Sequence, residues 1–162
     1  MALILIPFAL GFEGALADQP QAVQPIPIGY AEFKRLSYSE RRAQITKLPP
    51  DMQLQAYLDM LRETEPPDDD LAWLIAPGGR GLVEAVKKRL EIEKSDGRRA
   101  DLIYLLWVIH YLGHMDLRQD QDLLGLLQRV VESMKDGTTK AVSAKAVAAI
   151  RSQTPGRGKG RP

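Results

Sequence analysis

The sequence predicts an all-α fold, and three observations predict it. Apolar residues recur at helical spacing, for example at positions 54, 57, 58 and 61. No stretch shows the sustained alternation of apolar and polar residues, or the turn dipeptides, that are typical of hairpins. Proline, glycine and acidic residues divide the chain into segments of helix length. We therefore expect six to seven short antiparallel helices.

The two N-terminal segments differ from the rest of the chain. Residues 1–17, MALILIPFALGFEGALA, have an apolar run followed by small residues, which is the order of a secretory signal peptide. No Lys or Arg precedes the apolar run, and the alternative is a short buried helix. Residues 18–29 contain three prolines and predict an extended tether. Helical order is expected over 30–152.

The helices of the first half follow from their start and stop signals. One helix begins at Ser37 or Ser39 and ends at Leu48, because two prolines come next. The stretch DMQLQAYLDMLRE forms the next helix. LAWLIA follows the acidic turn Asp68–Asp70 as a short helix, which APGGRG ends, and LVEAVKKRLEIEK forms another.

The second half begins with SDGRR, which is expected to break the chain between two helices. RADLIYLLWVIHYLG is the most apolar stretch after residue 17; it is too short to span a bilayer and suits a central helix. Helices over 120–135 and 140–152 follow. Residues 51–94 and 98–135 loosely echo each other, so the bundle is either irregular or a short HEAT-like stack of helical hairpins.

Composition and charge exclude several classes of protein. The 162 residues suit one domain, and with no cysteine the chain has neither a disulfide nor a thiolate nucleophile. Residues 137–162 carry six bases and no acid, whereas the body from 18 to 136 carries 16 bases and 20 acids. Residues 153–162 are expected to be a disordered basic tail, and specific nucleic-acid binding is not expected.

The stretch HYLGHMD, residues 110–116, contains both histidines of the chain. His110 and His114 stand four residues apart, so a continuous helix would place them on one face, where Asp116 or Asp120 could complete a site for zinc or another divalent metal. Gly113 favours a different interpretation. A glycine there predicts that the helix ends in a left-handed residue, with His114 in the following turn.

Three other patterns have both a structural and a functional interpretation. Asp68, Asp69 and Asp70 start a helix, lack the spacing of a calcium loop, and could attract a basic partner. The glycine-rich turn at 76–81 could hold an anion with Arg80, although it lacks the phosphate-loop ending. Tyr104, Trp107 and Tyr111 recur at helical spacing, which favours core packing over a ligand-facing stripe or an interface.

These observations favour a periplasmic or secreted bacterial protein that binds another protein, as an adaptor, a chaperone-like factor or an immunity protein. The alternative is a metal- or small-ligand-binding protein centred on His110 and His114. Enzymatic function has no motif to support it, because neither a nucleophile elbow nor a placed pair of carboxylates is present. Membrane spanning after residue 17 is not expected.

Overall fold

All regular structure in the computed structural model, which describes residues 29–156, is helical. Three turns of 3-10 helix, at Ile45–Lys47, Ala76–Gly78 and Leu117–Gln119, lie between the α-helices. The predicted all-α fold is confirmed. The α-helices of this range are α1 (Tyr30–Phe33), α2 (Tyr38–Gln44), α3 (Pro50–Met60), α4 (Asp70–Ile75), α5 (Gly79–Ile92), α6 (Asp96–Tyr111), α7 (Gln121–Ser133) and α8 (Gly137–Ser152).

Side-chain caps decide where several helices begin. Ser37 and Glu40 form a reciprocal capping box at the start of α2. Ser95 accepts a hydrogen bond from the backbone N–H of Arg98, and Asp136 accepts one from that of Thr139. These caps satisfy amides that a helix start leaves unpaired. The stretch SDGRR, expected to separate two helices, therefore forms the start of α6, and α8 begins at Gly137, earlier than predicted.

Helix α6 lies at the centre of the bundle, as its apolar sequence predicts. It packs against α4, α5 and α8. Seven of its side chains are buried among these neighbours, and six of them are apolar: Leu102, Ile103, Leu105, Leu106, Val108 and Ile109, with His110 as the seventh. Such burial removes roughly 1.5–3 kcal/mol of unfavourable hydration per large apolar side chain. The position of α6 thus fixes which side chains next to it reach the surface.

Helix α6 ends where the glycine predicts. Gly113 has a φ of 77°, in the left-handed region that L side chains avoid. Its N–H donates to the carbonyl of His110, and the N–H of His114 donates to that of Ile109. This pair of hydrogen bonds is a Schellman ending. The prediction that the helix stops before His114 is confirmed.

The chain ends are only partly described. The predicted signal peptide and residues 18–28 of the predicted tether lie outside the described residues, as do residues 157–162 of the predicted tail. The described start of that tail contacts α6, because the N–H of Gly156 donates to the carbonyl of Tyr111 at 3.2 Å. Among residues 29–156, no helix is long and apolar enough to cross a bilayer.

Candidate partner-binding surface

His110 is fully buried and both of its ring nitrogens have backbone partners. Its Nδ1 accepts a hydrogen bond from the N–H of Leu117 at 3.3 Å, and its Nε2 lies 3.0 Å from the carbonyl oxygen of Gln153. A carbonyl can only accept, so the proton of the neutral ring is on Nε2. His110 therefore ties the turn after α6 and the residue after α8 to the end of α6.

The other residues of the predicted metal site do not converge on His110. His114 is exposed and lies beyond the left-handed glycine. Asp116 lies 3.9 Å from Nδ1 of His110 but is engaged by Arg118, whose guanidinium donates two hydrogen bonds to it, at 2.9 and 2.7 Å. Those bonds lower the pKa of Asp116 to about 2.

Asp120, the other predicted ligand, caps α7 and pairs with Lys87 at 3.2 Å. Across residues 29–156, no three His, Cys, Asp or Glu side chains are grouped so as to hold a metal ion. His110 also has no unpaired ring nitrogen to offer a metal. The metal site therefore stays a prediction.

The acidic turn before α4 divides into paired and unpaired carboxylates. Asp68 accepts hydrogen bonds from the hydroxyl of Tyr38 at 2.5 Å and from Nε of Arg42 at 3.2 Å. Asp70 lies 3.8 Å from the same Arg42 guanidinium. Asp69 is exposed, and its carboxylate makes no hydrogen bond or salt bridge with the rest of the described chain. Of these three carboxylates, only that of Asp69 is exposed without a hydrogen bond or salt bridge to the described chain.

Arg80, for which the sequence allows an anion site together with the glycine-rich turn, lies at the rim of an open cleft of about 680 Å³. The cleft is also lined by four carboxylates, those of Glu84, Asp116, Asp120 and Asp122. Lys87 pairs with Asp120, and Arg118 pairs with Asp116. Glu84 and Asp122 still outnumber Arg80, so an anion in the cleft would meet net repulsion. The cleft does not favour the anion site.

Four aromatic side chains form a continuous surface beside α6. Tyr104, Trp107 and Tyr111 follow one another along the helix, with ring centroids 5.6 and 5.1 Å apart and planes inclined by 31° and 28°. Trp73 of α4 meets Trp107 and Tyr111 edge-on, at 6.5 and 5.8 Å. These distances and angles are those at which aromatic pairs attract each other. We call Trp73, Tyr104, Trp107 and Tyr111 the aromatic surface.

The aromatic surface lies at the edge of the core. All four side chains are partly exposed, whereas their apolar neighbours on α6 from Leu102 to Ile109 are fully buried. The indole Nε1 of Trp73 donates a hydrogen bond to the hydroxyl of Tyr104 at 3.2 Å, which fixes both rings relative to each other. The expectation of core packing is therefore only partly met, since Trp73, Tyr104 and Trp107 pack on the core and still reach solvent.

Sequence reasoning found three of these aromatics and missed Trp73. The available signal was its position in LAWLIA, where Leu71, Ala72 and Ile75 mark the buried side of α4 and Trp73 falls outside it. Trp73 lies beside Trp107 because α4 packs against α6, and no local sequence pattern encodes that packing.

Asp69 lies next to the aromatic surface. It is one helical turn before Trp73, so the two side chains share a face of α4. Burial raises the pKa of Tyr104, and the negative charge of Asp69 raises it further, against the hydrogen bond from Trp73. The unpaired carboxylate and the rings therefore belong to one surface.

The chain matches no family model, no curated protein and no solved structure.

Proposed function

We propose that this protein is exported and acts by binding another protein, and that the aromatic surface is where the partner docks. The observation that carries the proposal is that four aromatic side chains in contact with one another remain partly exposed beside an otherwise buried helix. A role as an adaptor, a chaperone-like factor or an immunity protein would use such a surface in the same way.

The chemistry of the four side chains supports binding to a protein. Tyrosine and tryptophan are enriched at interfaces because a rigid ring buries much apolar area while its hydroxyl or N–H still finds a polar partner. Centrally placed Trp and Tyr side chains commonly supply most of the affinity of an interface. Here two residues of each type are adjacent.

The support beneath these rings also favours recognition. Trp107 projects from a helix whose opposite side is fixed in the core, and Trp73 and Tyr104 hold each other by a hydrogen bond. A partner would meet rings already held in place, so little conformational entropy would be lost on binding.

Site-directed photo-crosslinking tests this function. Replacing Tyr111 with p-benzoylphenylalanine keeps an aromatic ring in the surface and adds a reactive ketone. After irradiation of producing cells, we expect one dominant crosslinked protein, identified by mass spectrometry. The matched control places the same probe at Val142 of α8, an apolar side chain that is 60% exposed. Equal crosslinking at both positions, or none at Tyr111, would contradict the proposal.

Export is tested separately. Mass spectrometry of the protein from a periplasmic extract should give an N-terminus at Asp18, directly after Ala17. Protein found only in the cytoplasm with residues 1–17 intact would remove export from the proposal and leave the binding surface untouched.

A further inference from the structure

Charge and ring geometry together indicate what the partner presents to the aromatic surface. The acidic turn has three carboxylates, and Arg42 pairs with Asp68 and Asp70 but not with Asp69. Nearby, Arg62 and Asp101 form a salt bridge of 2.8 Å in which the two charges neutralise each other. The carboxylate without a pairing partner beside the rings is that of Asp69, which favours a cation at this place.

Aromatic faces and a carboxylate suit an arginine side chain better than other groups. A guanidinium is planar, stacks on Trp and Tyr rings, and donates two parallel hydrogen bonds to a carboxylate. A lysine ammonium is more strongly hydrated and cannot stack in this way. Nucleobases could also stack on the rings, but their phosphates would be repelled by Asp69.

We propose that the partner inserts an arginine of an extended segment into the aromatic surface, with its guanidinium against the rings and paired with Asp69. This inference rests on the proposed function and specifies the partner class: a protein with an exposed, arginine-bearing segment. The uncharged part of that segment covers the remaining ring area.

Peptide titration tests the inference directly. The probe is acetyl-Gly-Arg-Pro-Gly-Arg-Pro-Gly amide, and the matched probe has both arginines replaced by citrulline, which keeps the shape and removes the charge. Trp73 and Trp107 are the two tryptophans of the chain, so their two indole N–H signals in an NMR spectrum report on the surface alone. We expect both signals to shift saturably with the arginine peptide and about tenfold more weakly with the citrulline peptide.

Two substitutions, each of which removes one negative charge, complete the test. Asp69→Asn should weaken binding of the arginine peptide about fivefold or more, whereas Glu91→Gln, at an exposed acid on α5, should leave it unchanged. The Asp69 side chain caps no amide of α4, so the variant should keep its fold, which an unchanged melting temperature verifies. Equal binding of both peptides, or no effect of Asp69→Asn, would overturn the inference.

A further variant separates the partner from the chain's own basic residues. The N–H of Gly156 donates to the carbonyl of Tyr111, and Arg157, Lys159 and Arg161 follow Gly156 in the sequence. If the peptide binds only after all three are changed to glutamine, the arginine comes from this chain and the partner assignment is overturned. Crosslinking at Tyr111 tests the proposed function separately. If Asp69→Asn does not change the yield of the crosslinked protein, the proposed function is retained and the inference of an arginine is overturned.

Discussion

One face of α6 is sealed inside the protein, whereas the neighbouring face is only partly covered. Leu106 and His110 belong to the first face and are fully buried; Trp107 and Tyr111 directly follow them in sequence and reach solvent. The buried face includes a histidine whose polar atoms are all satisfied, and the partly exposed face consists of aromatics. His110 therefore makes two structural hydrogen bonds, whereas the aromatic rings, which their spacing assigns to the core, reach solvent.

The largest effect is expected on the buried face. Leu106→Ala removes a fully buried side chain at the centre of the bundle, where neighbours from other helices cannot collapse completely into the space. We expect a loss of about 3 kcal/mol in the free energy of unfolding, measured by urea denaturation. A loss below about 1 kcal/mol would show that the centre is loosely packed and would weaken the contrast between the two faces.

The two histidines should respond differently to the same substitution. His110→Ala leaves the N–H of Leu117 and the carbonyl of Gln153 without their partner and opens a cavity, so we expect a loss of about 2–3 kcal/mol. His114→Ala removes an exposed ring and should change stability by less than about 0.5 kcal/mol. The same denaturation experiment measures both, and similar losses would refute the structural role assigned to His110.

Gly113 joins the end of α6 to the segment after α8. Alanine there needs a left-handed backbone, and its Cβ would lie 2.9 Å from the Cα of Gly156. We expect Gly113→Ala to cost about 1–2 kcal/mol in thermal denaturation. Gly137→Ala is the matched control, because nothing lies within 4 Å of its added Cβ. If both variants melt together, the contact between Gly113 and Gly156 is not tight in solution.

The sequence predicts the fold class, the central place of α6 and its end, because each depends on local signals. Helical periodicity marks the apolar stretch, and a single glycine marks the stop before His114. The partners of His110 could not be predicted in this way. Gln153 is 43 residues away in sequence, and its carbonyl reaches the ring only because α8 packs along α6.

The exposure of the aromatics could not be predicted for a related reason. Spacing alone places Tyr104, Trp107 and Tyr111 on one side of α6, but it does not say whether another helix covers that side. Helix α4 is short and covers that side of α6 only in part. It also places Trp73 beside Trp107. The candidate surface therefore arises from the length and packing of a neighbouring helix.

A smaller effect is expected within the aromatic surface. Tyr104→Phe removes the hydroxyl that accepts the hydrogen bond from Trp73 and keeps the ring, so stability should fall by no more than about 1 kcal/mol. The tryptophan emission spectrum should change, because the indole N–H of Trp73 loses its partner. A loss as large as that of Leu106→Ala would mean that this surface is part of the core.

The smallest effect concerns the turn after α6, where Asp116 pairs with Arg118. The guanidinium holds the pKa of Asp116 at about 2, below its usual 3.8, so the carboxylate binds protons less readily in the folded protein than in the unfolded chain. Its stabilising contribution is present above the unfolded pKa and is lost as the pH falls through about 2. An NMR titration of the Asp116 carboxyl should show this low midpoint, and Arg118→Gln should move it back towards 3.8.

The pair of Asp116 and Arg118 is partly exposed, so its loss should leave the buried ring of His110 in place. The hydrogen bond from that ring to Gln153 should therefore persist in Arg118→Gln at neutral pH. Disruption of that hydrogen bond would instead show that the salt bridge between Asp116 and Arg118, and not burial, holds the ring of His110 in place.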